Sequence, residues 1–93
     1  MENAHSNNVH DVVTHAINNL TKVEFKKEER VTTIHYKDKL GNCNSVTLYG
    51  YGDDFGVVSH EKWEDNGLYT EDFTISKEEY TDFYQAIVNS LLV

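Results

Sequence analysis

Proline is missing altogether, and cysteine occurs once, at Cys43, in a chain of 93 residues. Without proline there are no rigid polyproline spacers and no proline-rich recognition segments. A single thiol excludes an internal disulfide, so the fold stands without the covalent staples of small secreted domains, which favours the cytosol. Long apolar runs are absent as well: mean hydropathy is negative, and nothing approaches the roughly 20 apolar residues that a membrane-spanning helix needs. The segment from Met1 to Ser6 offers neither the basic region nor the apolar run of a secretory signal. A soluble cytoplasmic protein with no membrane role is expected, and the length suits one domain with one core.

Positive charge is scarce in one half only. Met1 to Gly50 holds six acidic and six basic residues, whereas Tyr51 to Val93 holds ten acidic and two basic, which accounts for the whole net charge of -8. Direct binding of nucleic acid is therefore not expected, because neutralising phosphates needs a surplus of Lys and Arg. A basic protein surface is the natural complement.

The apolar pattern that is present changes period along the chain. Val9, Val12, Val13, Ala16, Ile17 and Leu20 form one stripe at helical spacing, with Asn7 or Asn8 as the cap and Asp11 near the positive end of the helix dipole. The first six residues are expected to fray. From Lys22 to Tyr51 the period becomes two: Val23 and Phe25, then Thr32, Ile34 and Tyr36, then Val46 and Leu48. Polar turns at Lys27 to Arg30 and Asp38 to Asn42 separate these strands. Phe55, Val57 and Val58 supply a short strand ending near His60, and Leu68 to Ile75 a last strand with Tyr69, Phe73 and Ile75 on one face. Ser76 and Glu79 have capping-box spacing, with Ile75 and Tyr80 placed as a staple, and Tyr80, Phe83, Tyr84, Ile87, Val88 and Leu91 give a second amphipathic helix. The expected fold is α+β: an N-terminal helix, an antiparallel meander sheet of four or five strands, and a C-terminal helix, with both helices on one face.

Catalytic and metal-binding patterns are sparse. His5, His10 and His15 are five apart, which turns successive imidazoles to different sides of a helix, so no metal site is expected. Cys43 and a strand neighbour such as His35 have no triad signature around them. Asp53 with Asp54 and Glu64 with Asp65 lack the remaining ligands of a calcium loop, and Gly50, Gly52 and Gly56 lack the Lys of a phosphate loop. No catalytic residue, metal or cofactor is assigned.

The acidic second half remains. Asp53, Asp54, Glu61, Glu64, Asp65, Glu71 and Asp72, with the aromatic Trp63 and Tyr69 among them, are the candidate partner-binding residues: carboxylates steer a basic partner and aromatics anchor it. In size, charge and α/β order the chain resembles the small acidic antagonists of phages and mobile elements, including anti-CRISPR proteins that imitate nucleic acid. That resemblance implies a non-enzymatic inhibitor of immunity or anti-defence type, occluding a basic site on a nucleic-acid-processing enzyme. The competing expectation is a homo-oligomeric assembly module that buries the apolar end Leu91, Leu92 and Val93, as in a homodimer.

Overall fold

The structure, a computed structural model, describes residues 9–92. The expected cap at Asn7 or Asn8, the fraying of the first six residues and Val93 lie outside the described residues. The element order is α1 (Val9–Asn18), β1 (Leu20–Lys26), a 3-10 turn (Lys27–Glu29), β2 (Val31–Lys37), β3 (Cys43–Tyr51), β4 (Phe55–Glu64), β5 (Gly67–Ser76) and α2 (Lys77–Leu91). The strands form one antiparallel sheet in the order β1-β2-β3-β4-β5. The α+β meander with two helices is therefore present, with five strands rather than four.

Strand parity decides what is buried. On β2, β3 and β4 the even-numbered residues Ile34, Tyr36, Val46, Leu48 and Val58 point to the helices and are buried, as is Ile75 on β5. Val13 and Ala16 of α1 and Phe83 and Ile87 of α2 close the core from above. Each such apolar side chain contributes about 1.5–3 kcal/mol by leaving water, so the helices are held on the sheet by the same face that orders the strands. Odd-numbered residues of β2 to β4 stand on the helix-free face.

Two boundaries differ from the sequence expectation. The apolar stripe of α1 was expected to include Leu20, but the helix closes at Asn18, where Asn19 N–H bonds the carbonyls of His15 and Ala16 and its side-chain amide also donates to the His15 carbonyl. Leu20 instead opens β1 and packs half-buried against the core. β4 does not stop near His60. It runs on to Glu64 because Lys62, Trp63 and Glu64 pair with Tyr69, Leu68 and Gly67 of β5, and backbone pairing there needs no apolar side chains.

The start of α2 follows its sequence signal. Ser76 accepts from Glu79 N–H at 3.1 Å while the Glu79 carboxylate accepts from Ser76 N–H at 3.0 Å. The Tyr80 ring then lies on Gly50 and Gly56, which are cross-strand partners: a Cβ on Gly56 would meet the Tyr49 carbonyl oxygen at 2.8 Å and the Tyr80 ring at 3.1 Å. Arg30, in the left-handed region at φ 58, completes this end by donating to the Gly52 carbonyl at 2.7 Å and placing its guanidinium 5.5 Å from the Tyr80 ring centre.

Gly56→Ala is expected to cost about 1–3 kcal/mol through overpacking against rigid backbone, and Ser76→Ala about 1 kcal/mol through loss of the cap. Urea unfolding midpoints measure both. An unchanged midpoint for Gly56→Ala would contradict the close approach at Tyr80.

Candidate interaction surface

The helix-free face divides into two halves of different charge. Its β1 and β2 positions include Lys22, Glu24, Lys26, His35 and Lys37, and the one carboxylate among them is already engaged. Glu24 accepts from His35 Nε2 at 2.7 Å and lies 3.8 Å from Lys22 Nζ. The bond from His35, then the Lys22 charge, hold its carboxyl below the usual range. The positions on β3, β4 and β5 include no Lys or Arg: Ser45, Thr47, Tyr49, Tyr51, Phe55, Val57, Ser59, Glu61, Trp63, Leu68, Thr70, Asp72 and Thr74. Among the described residues no ion pair engages Glu61 or Asp72.

Aromatic side chains line this second half. Tyr49, Tyr51 and Phe55 stack in succession, with ring centres 6.3 and 5.4 Å apart. Trp63 is 47% exposed and faces the 50% exposed Leu68 across the β4–β5 pair. Large apolar groups standing in water beside such carboxylates have the composition of a binding anchor with a charged rim.

The tip of the β4–β5 hairpin is positioned by a side chain. The β3–β4 pairing ends at Ser45 and Glu61, and from there Asn44 takes over, its Oδ1 accepting from Trp63 N–H at 2.8 Å. Asn44 in turn donates to Asp38 at 3.3 Å. Asp38 organises the β2–β3 turn by accepting from the Leu40 and Asn42 N–H groups, both at 2.9 Å. Burial works to raise the Asp38 carboxyl, but the bonds from Asn42, Asn44 and Leu40 outweigh it and hold it low.

The sequence-predicted residues therefore occupy several places. Glu61, Trp63 and Asp72 come together on the helix-free face. Tyr69 and Glu71 share the opposite face of β5, where the Glu71 charge pushes the Tyr69 hydroxyl up, and Glu64 lies on that same face of β4. Asp53 and Asp54 occupy the β3–β4 turn and Asp65 the β4–β5 turn, at opposite ends of a ten-residue strand that spans about 30 Å. The nine residues do not make one patch. Cys43 is exposed, and His35 turns to Glu24 rather than to the thiol.

A second feature was not anticipated. His60 and Tyr36 meet under α1, with Tyr36 Oη 2.7 Å from His60 Nε2, and both line a groove of about 920 Å³ together with His15, Asn19, Asn44 and Lys62. Burial, then the Lys62 and His15 charges, lower the His60 pKa to about 4, and burial raises that of Tyr36. Both groups are thus neutral, and they share one hydrogen bond whose donor follows from the imidazole tautomer. Nδ1 is buried without a hydrogen-bond partner among the described residues, the Glu71 carboxylate being 3.9 Å away. A histidine held near 4 is a weak base at neutral pH, so the pair acts as a buried polar strut. Its sequence signal was parity: His60 is two residues from Val58, on the inward side of β4. Among the described residues no group of three potential metal ligands converges, and no helix is long and apolar enough to cross a membrane.

Compared with known protein families, characterised proteins and solved structures, the chain matches none.

The His60 environment sets a pH dependence. Its folded-state pKa lies below the unfolded value of about 6.5, so between pH 6.5 and 4 the unfolded chain binds a proton that the folded chain refuses. Stability is then complete above pH 6.5 and declines as pH falls toward 4, by at most roughly 3 kcal/mol from this residue. Urea midpoints at pH 7 and pH 5 for the native chain and His60→Gln measure it. The drop should be smaller in the variant, and an equal drop would assign the effect to other groups.

Proposed function

We propose that the protein is a non-enzymatic protein-binding antagonist. The β3–β5 half of its helix-free face docks on a basic, nucleic-acid-binding site of a partner and occludes it. The observation that carries this reading is the combination found there: Glu61 and Asp72 without ion pairs among the described residues, no Lys or Arg among these strand positions, and exposed aromatics on either side of them along the strands, Tyr51 and Phe55 toward the β3–β4 turn and Trp63 toward the β4–β5 turn. Carboxylates spaced along a sheet attract a phosphate-binding groove over a distance set by ionic strength, and the aromatics supply apolar contact once water leaves. Nucleic-acid-processing proteins are the target class, and an anti-defence or immunity-type role is the biological setting this implies. The Asp53–Asp54 turn and the acidic first turn of α2, Glu78 and Glu79, extend the negative rim, because Phe55 pairs with Ser76 at that end of the sheet.

The exposed Leu91 and Leu92, at 46% and 79%, favour a second reading in which two copies associate through the end of α2. It predicts a mass that rises with concentration.

Capture of host-lysate proteins on the immobilised chain discriminates the two. Basic nucleic-acid-binding proteins should be retained at low salt, be released by excess duplex DNA and by raised salt, and be lost on the paired substitution Glu61→Lys and Asp72→Lys with the fold intact by circular dichroism. Undiminished retention by the charge-reversed protein would remove this face from the reading.

A further inference from the structure

The two edges of the sheet are built differently. β1 is seven residues long, carries Lys22 and Lys26, and has an irregular register between Leu20 and Lys22; lysines and bulges are devices by which sheet proteins blunt an edge against unwanted pairing. β5 is ten residues long, pairs in continuous register from Gly67 to Ser76, and contains neither Lys nor Pro.

Hydrogen-bond parity fixes which backbone groups of β5 face outward. Gly50 N–H bonds the Arg30 carbonyl, so even-numbered residues of β3 bond toward β2, and odd-numbered ones toward β4, because hydrogen-bonded and non-bonded pairs alternate along an antiparallel ladder. Applying the same alternation through the β3–β4 and β4–β5 registers makes His60–Glu71 and Val58–Phe73 hydrogen-bonded pairs. The backbone groups of Leu68, Thr70, Asp72 and Thr74 consequently point away from the sheet. Ser76 fits the pattern, since its N–H goes to the Glu79 side chain.

We infer that β5 is a docking edge that takes an extended, basic segment of a partner protein as a sixth strand. This rests on the antagonist reading and specifies its mode of contact. Charge selects the occupant. Glu61 and Asp72 lie on the helix-free face beside this edge, and on the other face Glu64 is 3.9 Å from Lys62 and Glu71 3.9 Å from His60, so a strand whose alternate, cationic side chains lie on the helix-free face meets the two carboxylates that no ion pair engages among the described residues. Trp63 with Leu68, and Tyr69 with Phe73, give it apolar footing. A second copy is a poor occupant. Because only even-numbered groups face out, the two antiparallel registers that use the whole edge are centred on residue 71 or residue 72. Each sets Glu71 or Asp72 opposite its own copy, and like charges directly opposite destabilise a pair.

The probe is a fluorescently labelled decapeptide of alternating lysine and valine, titrated with the full chain and read by anisotropy, with Trp63 emission as a second signal. Binding should weaken about tenfold or more when all peptide backbone nitrogens are methylated, since several hydrogen bonds are lost together. Thr70→Pro should weaken the unmodified peptide comparably, because it deletes an outward N–H while sparing the ladder to β4. The methylated peptide tests the native chain directly and keeps the inference exposed to refutation even if Thr70→Pro does not fold. Equal affinity for methylated and unmodified peptides would overturn strand addition while leaving charge-driven docking on the sheet face intact. Equal binding of a glutamate–valine peptide, or no binding of the lysine–valine peptide at low salt, would also overturn it, and the lysate capture would still judge the antagonist reading separately.

Discussion

Two helices bury the even-numbered positions of β2, β3 and β4, and by doing so they assign the odd-numbered positions to water. With one helical layer and five strands, only one face of the sheet can be covered. The ring of Tyr80 on Gly50 and Gly56 and the closure of Val13, Ala16, Phe83 and Ile87 over Ile34, Val46 and Val58 fix which face that is. A slip of one residue in any strand would exchange the two sets of side chains. The exposure of Trp63, Phe55 and Tyr51, and the lack of any ion pair to Glu61 or Asp72 among the described residues, are thus consequences of core packing on the far side.

Much of this was legible in the sequence because local signals agreed with one another. The alternation of Ile34 and Tyr36, then Val46 and Leu48, gave strand and face together, and Ser76 with Glu79 marked the start of α2. Reading failed where backbone or side-chain hydrogen bonds replaced the apolar pattern. Leu20 kept the helical spacing, yet the chain turns at Asn19, and His60 to Glu64 lacked apolar alternation although the strand continues by pairing with β5. The candidate site was legible in composition and not in geometry. Ten acidic residues after Tyr51 announced a negative surface, but strand parity and the length of β4 disperse them over two faces and two ends. Asn44 and His60 share the inward parity of Val46 and Val58, but a polar residue in that place reads as a break in the apolar alternation although both are buried.

Polar groups in the interior mark where this small fold is least economical. Tyr36 and His60 satisfy each other, but the imidazole Nδ1 is left 3.9 Å from Glu71, and a buried polar atom with no hydrogen-bond partner among the described residues is costly. Asn44 is spent on holding the Trp63 backbone where the β3–β4 ladder has ended. Both features support the far end of β4 and β5, the part of the sheet that carries Trp63, Leu68 and Tyr69 into solvent. Packing on the helical side thereby stiffens a hairpin and an edge that would otherwise have little beneath them.

Backbone amide hydrogen exchange in β5 tests the parity and openness of that edge most directly. Rapid exchange at Leu68, Thr70, Asp72 and Thr74, alternating with slow exchange at Tyr69, Glu71, Phe73 and Ile75, is the expected result for the isolated protein. Uniform protection along β5 would contradict it, because it would mean that the edge is already paired or covered.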